Sequence, residues 1–276
     1  MPRIPDQLQR SIIFIYPDVE AARAGVGAGG TGFLVSMKGA NRSAPFYYLV
    51  TNMHVALCAD RCLRINMTSG ETEIVEVPGS AWVGHFNGED IAVCAFEPKA
   101  HWAVDAIAWD DLAVSRSRMT ELNAGVGDDV FMLGRFISHQ GVQLSQPLAR
   151  FGNISMMPGE PVLDGRNFKV EAFLVEMRSL AGFSGSPVFV YMGPGTYRGN
   201  GTMMPFYSET IGLLGIDTGH KTTFARVRDR RTGDDRELEV ALNTGVSIVV
   251  PVWKIKEVLD CEQLAAERGF SVPERT

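Results

Sequence analysis

The stretch Leu180-Ala181-Gly182-Phe183-Ser184-Gly185-Ser186-Pro187-Val188-Phe189-Val190 joins a turn of small residues to an apolar, β-branched run. A serine between glycines can bring its hydroxyl to an open surface, while the backbone N–H groups of Gly182 and Ser184 converge on one point. Two converging donors are what an oxyanion needs. A Gly-Ser turn before a strand is also ordinary turn chemistry, so the loop does not decide the reading alone. Two upstream segments do: Leu49-Val50-Thr51-Asn52-Met53-His54-Val55, a strand running into a histidine, and Glu89-Asp90-Ile91-Ala92-Val93, an aspartate opening another strand. The residue types of a nucleophile, base and acid therefore occur in the order His54, Asp90, Ser184.

That order separates fold classes. An α/β-hydrolase carries its serine first, inside G-x-S-x-G, with acid and histidine after it. Here position 186 is Ser, and the only histidine downstream of the loop is His220. Histidine, aspartate, serine is the chain order of the chymotrypsin type of triad. With these residues in view, the chain resembles the trypsin-like serine peptidases, and more closely their bacterial HtrA-like and glutamyl-endopeptidase-like branch. The resemblance extends to Gly30-Thr31-Gly32-Phe33-Leu34-Val35, the G-x-G-F-x-V strand before the histidine strand, and to Thr51-Asn52-Met53-His54-Val55, the T-N-x-H-V form of the HtrA-like branch. It spans roughly residues 11 to 258.

The resemblance implies an all-β fold of two six-stranded antiparallel β-barrels closed by a C-terminal helix. Residues 1–114 would form the first barrel, carrying His54 and Asp90. Residues 115–252 would form the second, carrying Ser184, with helix and tail over 253–276. It implies a serine endopeptidase in which Ser184 attacks, His54 moves the proton, Asp90 fixes the imidazole, and Gly182 and Ser184 donate to the oxyanion. Arg178, six residues before the nucleophile, would lie at the base of the primary pocket. Glu176 or Asp217 would then neutralise it or draw it outward. The Ile211 to Gly219 strand would line that pocket, which makes Ile216, Asp217 and Thr218 substrate-binding candidates. The apolar neighbours Leu213, Leu214 and Ile216 favour an apolar side chain at the cleaved position over an acidic one. No sequence remains for a PDZ module.

One position departs from the animal members of the family. They carry an aspartate directly before the nucleophile, which a new amino terminus pairs with on activation. Phe183 stands there and accepts no ion pair.

Composition agrees with this class. Of 276 residues, 45% are hydrophobic and 21% charged, and 29 glycines and 14 prolines punctuate short apolar runs, as in a turn-rich β chain. A net charge of −6 argues against nucleic acid as a partner, since phosphate binding needs clustered Lys and Arg. The mixed-sign run from Arg226 to Glu239 reads as a solvated hairpin tip. No apolar run approaches the roughly 18 residues of a membrane span, and Met1 to Gln7 lacks the pattern of a secretory signal. A cytoplasmic protein without membrane attachment is the expectation. Four cysteines, Cys58, Cys62, Cys94 and Cys261, form no disulfide framework, which agrees with a reducing compartment. The H-x3-C-x3-C spacing of His54, Cys58 and Cys62 reads as small packing residues rather than a zinc site, and no metal or cofactor is expected. The glycines of Gly25 to Gly30 lack the Lys-Ser/Thr and helix of a phosphate loop.

Further along, residues 97–123 read as the crossover between barrels, and Phe168 to Val175 as the strand entering the nucleophile loop. Tyr191 to Ser208 reads as a long excursion beside the site. Helical spacing of Ile255, Val258, Leu259 and Leu264 predicts a helix over Trp253 to Arg268. His85, in a Gly-rich loop, reads as a surface residue. Two rival functions stay open: a catalytically silent double barrel that binds peptides, and an esterase or amidase that applies the same triad to small molecules.

Overall fold

The computed structural model describes residues 3–27, 29–40, 43–57, 61–138, 141, 143–195, 197–198, 203, 210–228 and 235–270. Its N-terminal half is one sheet built from β1 (Ile12–Tyr16), β2 (Gly30–Met37), β3 (Phe46–Thr51), β4 (Arg61–Asn66), β5 (Thr72–Val77), β6 (Val83–Gly84), β7 (Ala92–Ala95) and β8 (Ile107–Ala108). These pair in the order β5-β4-β1-β2-β3-β7-β6, with β8 running parallel to β2. The sheet is an open half-barrel of eight strands where a closed barrel of six was expected. Pro78 and the single 3₁₀ turn Gly79–Ala81 end β5, leaving the two residues of β6 to face the opposite edge.

The second half closes. Strands β9 (Asp129–Gly134), β10 (Leu148–Met156), β13 (Phe173–Glu176), β14 (Pro187–Met192), β15 (Thr210–Arg228) and β16 (Asp235–Pro251) form a barrel in the order β10-β13-β16-β15-β14-β9. Between β10 and β13 the chain makes a separate small hairpin, β11 (Val162–Leu163) with β12 (Lys169–Val170). The single strand predicted over Phe168 to Val175 is therefore two pieces, one in this hairpin and one in the barrel. Short helices α1 (Asp6–Arg10), α2 (Val19–Ala24), α3 (Met53–Ala56), α4 (Trp109–Leu112) and α5 (Arg116–Glu121) occupy the connections.

The predicted C-terminal helix is broken into α6 (Val252–Leu259) and α7 (Glu262–Glu267). The final turn of α6 tightens as Cys261 N–H donates to Val258 O, and α7 turns back. Its last residue leads to Arg268, whose guanidinium donates to Asp260 Oδ1 at 3.1 Å and to the Tyr48 hydroxyl at 3.2 Å. The tail is thereby tied to the first sheet.

Successive side chains of a strand point to opposite faces, and here both faces are covered. On β2, Phe33 and Val35 enter a core shared by the two halves while Leu34 enters a core of the first half alone. On β9, Phe131 and Leu133 enter the shared core, and Val130 and Met132 fill the second barrel. The shared core also takes Ile255, Leu259 and Leu264 from α6 and α7. At about 1.5–3 kcal/mol for each large apolar side chain fully buried, this common layer joins the halves firmly enough to hold groups from both in register.

Candidate active site

The histidine arm grows from β3, which pairs with both β2 and β7. It ends at Asn52, where the backbone turns into the single turn α3. Asn52 Nδ2 donates to the Asp90 carbonyl at 2.8 Å, tying the start of that turn to the loop before β7. Asp90 then receives His54 twice: the backbone N–H donates to Oδ1 at 3.0 Å and ring Nδ1 lies 2.6 Å from Oδ2. An ionised carboxylate only accepts, so Nδ1 carries the proton and Nε2 is the basic nitrogen. The aspartate side chain is 3% exposed and the histidine 42%, so the carboxylate is held dry while the imidazole reaches the surface. A guanidinium nitrogen of Arg166, Nη1, lies 3.5 Å from Asp90 Oδ1.

His85 is not at the surface. Its side chain is buried, with Nε2 2.9 Å from Glu257 on α6 and Nδ1 accepting from the Asn87 N–H. The loop that leads to Asp90 packs on the C-terminal helix, and His85 fills the seam.

The nucleophile loop begins with a turn in which Phe183 N–H donates to Leu180 O at 3.1 Å and Gly182 has φ +96°. A positive φ at the third position makes this a type II turn, which favours glycine there. Phe183 turns its ring into the second barrel, wholly buried with Val130, Met132 and Phe173. Ser184 sits half-buried above it. Its carbonyl accepts from Thr31 N–H at 2.8 Å, and Gly182 O accepts from the Thr31 hydroxyl at 2.8 Å. Gly185 N–H donates to Asp217 O, and Asp217 N–H donates to Ser186 O, each at 2.9 Å. The N–H groups of Gly182 and Ser184 and the Ser184 hydroxyl make no hydrogen bond among the described residues.

The two arms meet around β2. A Cβ placed on Gly30 would lie 2.7 Å from both Val55 methyls and 2.9 Å from the Ser184 carbonyl. So the residue after His54 and the backbone of Ser184 approach the same point, and only glycine leaves room for both. Gly185, with φ +88°, is equally constrained, since its Cβ would stand 2.0 Å from Thr31 O. Thr51 Oγ1, on β3, donates to that same Thr31 carbonyl at 2.7 Å. Thr31 is thus the hinge pin between the histidine strand and the nucleophile loop, a role for which its sequence context carries no signal.

The pocket candidates are dispersed. Arg178 lies exposed at the bend after β13 and makes no ion pair among the described residues, so its guanidinium is not at a closed pocket floor. Glu176 is exposed as well. Ile216 is wholly buried in the shared core. Thr218 is half-buried and donates its hydroxyl to Ile248 O at 3.2 Å. Asp217 is wholly buried; its Oδ2 accepts from the Ser179 hydroxyl at 2.7 Å, and its Oδ1 has no hydrogen-bond partner among the described residues. Burial pushes its carboxyl up to about 7, against the opposing pull of the Ser179 and Ser247 hydroxyls. Its backbone, which brackets the nucleophile, is what touches the site.

No group of three or more His, Cys, Asp or Glu among the described residues is placed to hold a metal ion. Cys58 lies outside the described residues, Cys62 and Cys94 are buried, and burial pushes the Cys94 thiol up to about 12. Much of the Tyr191 to Ser208 excursion also lies outside the described residues. No helix among them is long and apolar enough to cross a membrane.

Comparison with known proteins adds a likeness of fold. No protein-family model matches the chain, and no curated protein matches it. Among solved structures, the apo MamO protease domain from Magnetospirillum magneticum superposes with a TM-score of 0.51 at 16% identity, over 91% of this chain and 96% of that one. Deg5 superposes with a TM-score of 0.46 at 16% identity, over 77% and 81% of the respective chains. The fold, a half-barrel and a closed six-stranded barrel with a C-terminal helix, is a chymotrypsin-like double barrel, like that of the MamO protease domain.

Proposed function

We propose that the chain is a serine endopeptidase acting through His54, Asp90 and Ser184, with peptide or protein substrates. The observation that carries this reading is the pairing of a histidine held at both its backbone and its ring by one buried carboxylate with a serine loop whose Gly182 and Ser184 N–H groups are unclaimed. In the proposed reaction Ser184 Oγ attacks the scissile carbonyl carbon as His54 Nε2 takes its proton. The Gly182 and Ser184 N–H groups, which make no hydrogen bond among the described residues, would receive the oxyanion. Collapse of the tetrahedral intermediate breaks the C–N bond, and His54 returns the proton to the leaving amine. A water molecule, deprotonated by the same imidazole, then hydrolyses the acyl-enzyme.

An extended substrate has a strand to pair with. Beyond Ile216 strand β15 has left β14 and, among the described residues, pairs with β16 alone, so we propose its edge from Thr218 onward as the one that takes an added strand. Cleavage of an unbiased peptide library by the wild-type chain, abolished in Ser184→Ala, is the test. Uncut peptides with wild-type chain that still binds them would replace this reading with that of a silent peptide receptor. The Ser184 hydroxyl, which makes no hydrogen bond among the described residues, is the observation favouring that second reading.

A further inference from the structure

We propose that Arg166 is a positioning residue of the same site, a fixed cation on the far side of Asp90 that holds the carboxylate for His54 and restrains protonation of the base. This inference rests on the triad reading.

The hairpin β11–β12 belongs to the second half, yet its tip reaches Asp90 in the first. The tip is built on Asp164, whose Oδ1 accepts from the N–H groups of Arg166 and Phe168 at 2.8 and 2.9 Å. Asp164 Oδ2 then accepts from Arg166 Nε at 2.9 Å and Nη2 at 2.8 Å. Two bonds converging on one oxygen of this buried carboxylate hold the Nε–Nη2 edge of the guanidinium in place. The Phe168 ring lies 5.3 Å from it. Only the Nη1 edge is left over, and that edge faces Asp90 Oδ1 at 3.5 Å. The arginine side chain is 35% exposed and Asp90 3%, so the field acts through a mostly dry contact.

Among the described residues Asp90 has no other cation, and no hydroxyl donates to its carboxylate. Thr218 on β15 spends its hydroxyl on Ile248 O. The chain of groups runs Asp164, Arg166, Asp90, His54, with alternating charge up to the imidazole. A cation at that place has two effects of known sign. It attracts the Asp90 carboxylate and holds it aimed, and it repels a positive charge on the His54 ring. The other charged groups around this corner are Glu89 beside Asp90, Glu171 before β13, and Lys254 and Glu257 on α6, where Glu257 is paired with His85. Burial raises the Glu89 carboxyl, with Lys254 opposing.

The experiment follows the His54 ring by NMR across pH in Ser184→Ala protein, which reads the imidazole directly and needs no turnover. Replacing Arg166 by Gln is expected to raise the titration midpoint of His54 by about half a unit to one unit, and Arg166→Lys to restore most of the original value. Arg166→Met replaces the glutamine variant should that fail to fold. A midpoint unchanged on loss of the charge overturns the proposal, as does a shift that lysine does not reverse, which would mean the hairpin matters only for packing. Fluorophosphonate labelling of the Ser184-containing chain reports separately on the triad reading. If the wild type is not labelled, that reading fails whatever the midpoints do.

Discussion

The guanidinium carbon of Arg150 lies 5.3 Å from the ring centroid of Phe183, which is wholly buried directly below the nucleophile. Arg150 also faces the Phe136 ring at 5.8 Å. The loop is thus anchored from within the second barrel by an aromatic side chain under a cation, with no ion pair to be made by a new amino terminus. The N-terminal segment is engaged elsewhere, with Ile4 and Leu8 in the shared core.

Fusing a short tag to the amino terminus should therefore leave the rate of fluorophosphonate labelling unchanged. Phe183→Ala should destabilise the fold by about 3–5 kcal/mol, the cost of emptying an aromatic site, and slow labelling by loosening the loop. Labelling that appears only after proteolytic removal of the first residues would contradict this.

The pH dependence separates two histidines. As the base, His54 must be neutral, so kcat/KM should fall as pH drops through roughly 6 to 7, where an imidazole ordinarily takes up its proton. His54→Ala should abolish turnover. His85→Gln should lower the unfolding temperature, because the buried pairing with Glu257 is lost, while the acid limb of the wild type persists. A rate flat from about pH 5 to about pH 8 would count against a histidine base.

Asp217 makes a prediction about stability alone. Its carboxyl stands at 3.8 when solvated and about 7 in the fold. The folded state binds the proton more tightly, so folding takes one up between these values and stability declines as pH rises through that window. Asp217→Asn keeps an acceptor for Ser179 and removes the titration. Its unfolding temperature relative to wild type should rise steadily from pH 4 to pH 8, on the order of several degrees. A difference that does not change with pH would contradict a raised carboxyl.

Specificity should not depend on Arg178, whose side chain is exposed, while Leu213, Leu214 and Ile216 are spent on the cores. A library varied at the cleaved position should show a preference that is unchanged in Arg178→Ala. A strong acidic preference that vanishes in that variant would reverse the assignment.

Much of this was legible before any coordinates. Runs such as Phe33-Leu34-Val35 and Val130-Phe131-Met132-Leu133 are apolar at every position because both faces of their strands are covered, and the order His54, Asp90, Ser184 depends only on chain direction. The structure places the His54 ring 2.6 Å from the Asp90 carboxylate. Other features leave no local trace. Strands β6, β11 and β12 are two residues long, too short for a period of two to register, so neither the open first sheet nor the hairpin bearing Arg166 could be read. His85 looked solvated because glycines flank it; its burial depends on α6, some 170 residues away in the chain. Arg178 was assigned by position in the family pattern, and position does not say whether a side chain points inward.

The most direct test is covalent. A fluorophosphonate probe, incubated with the full chain at neutral pH and mapped by mass spectrometry of the digested adduct, should modify Ser184 and no other serine. Ser184→Ala should remain unlabelled and lose turnover by on the order of 10⁴ or more. A wild-type chain that stays unlabelled, or labelling that persists in Ser184→Ala, would contradict the account.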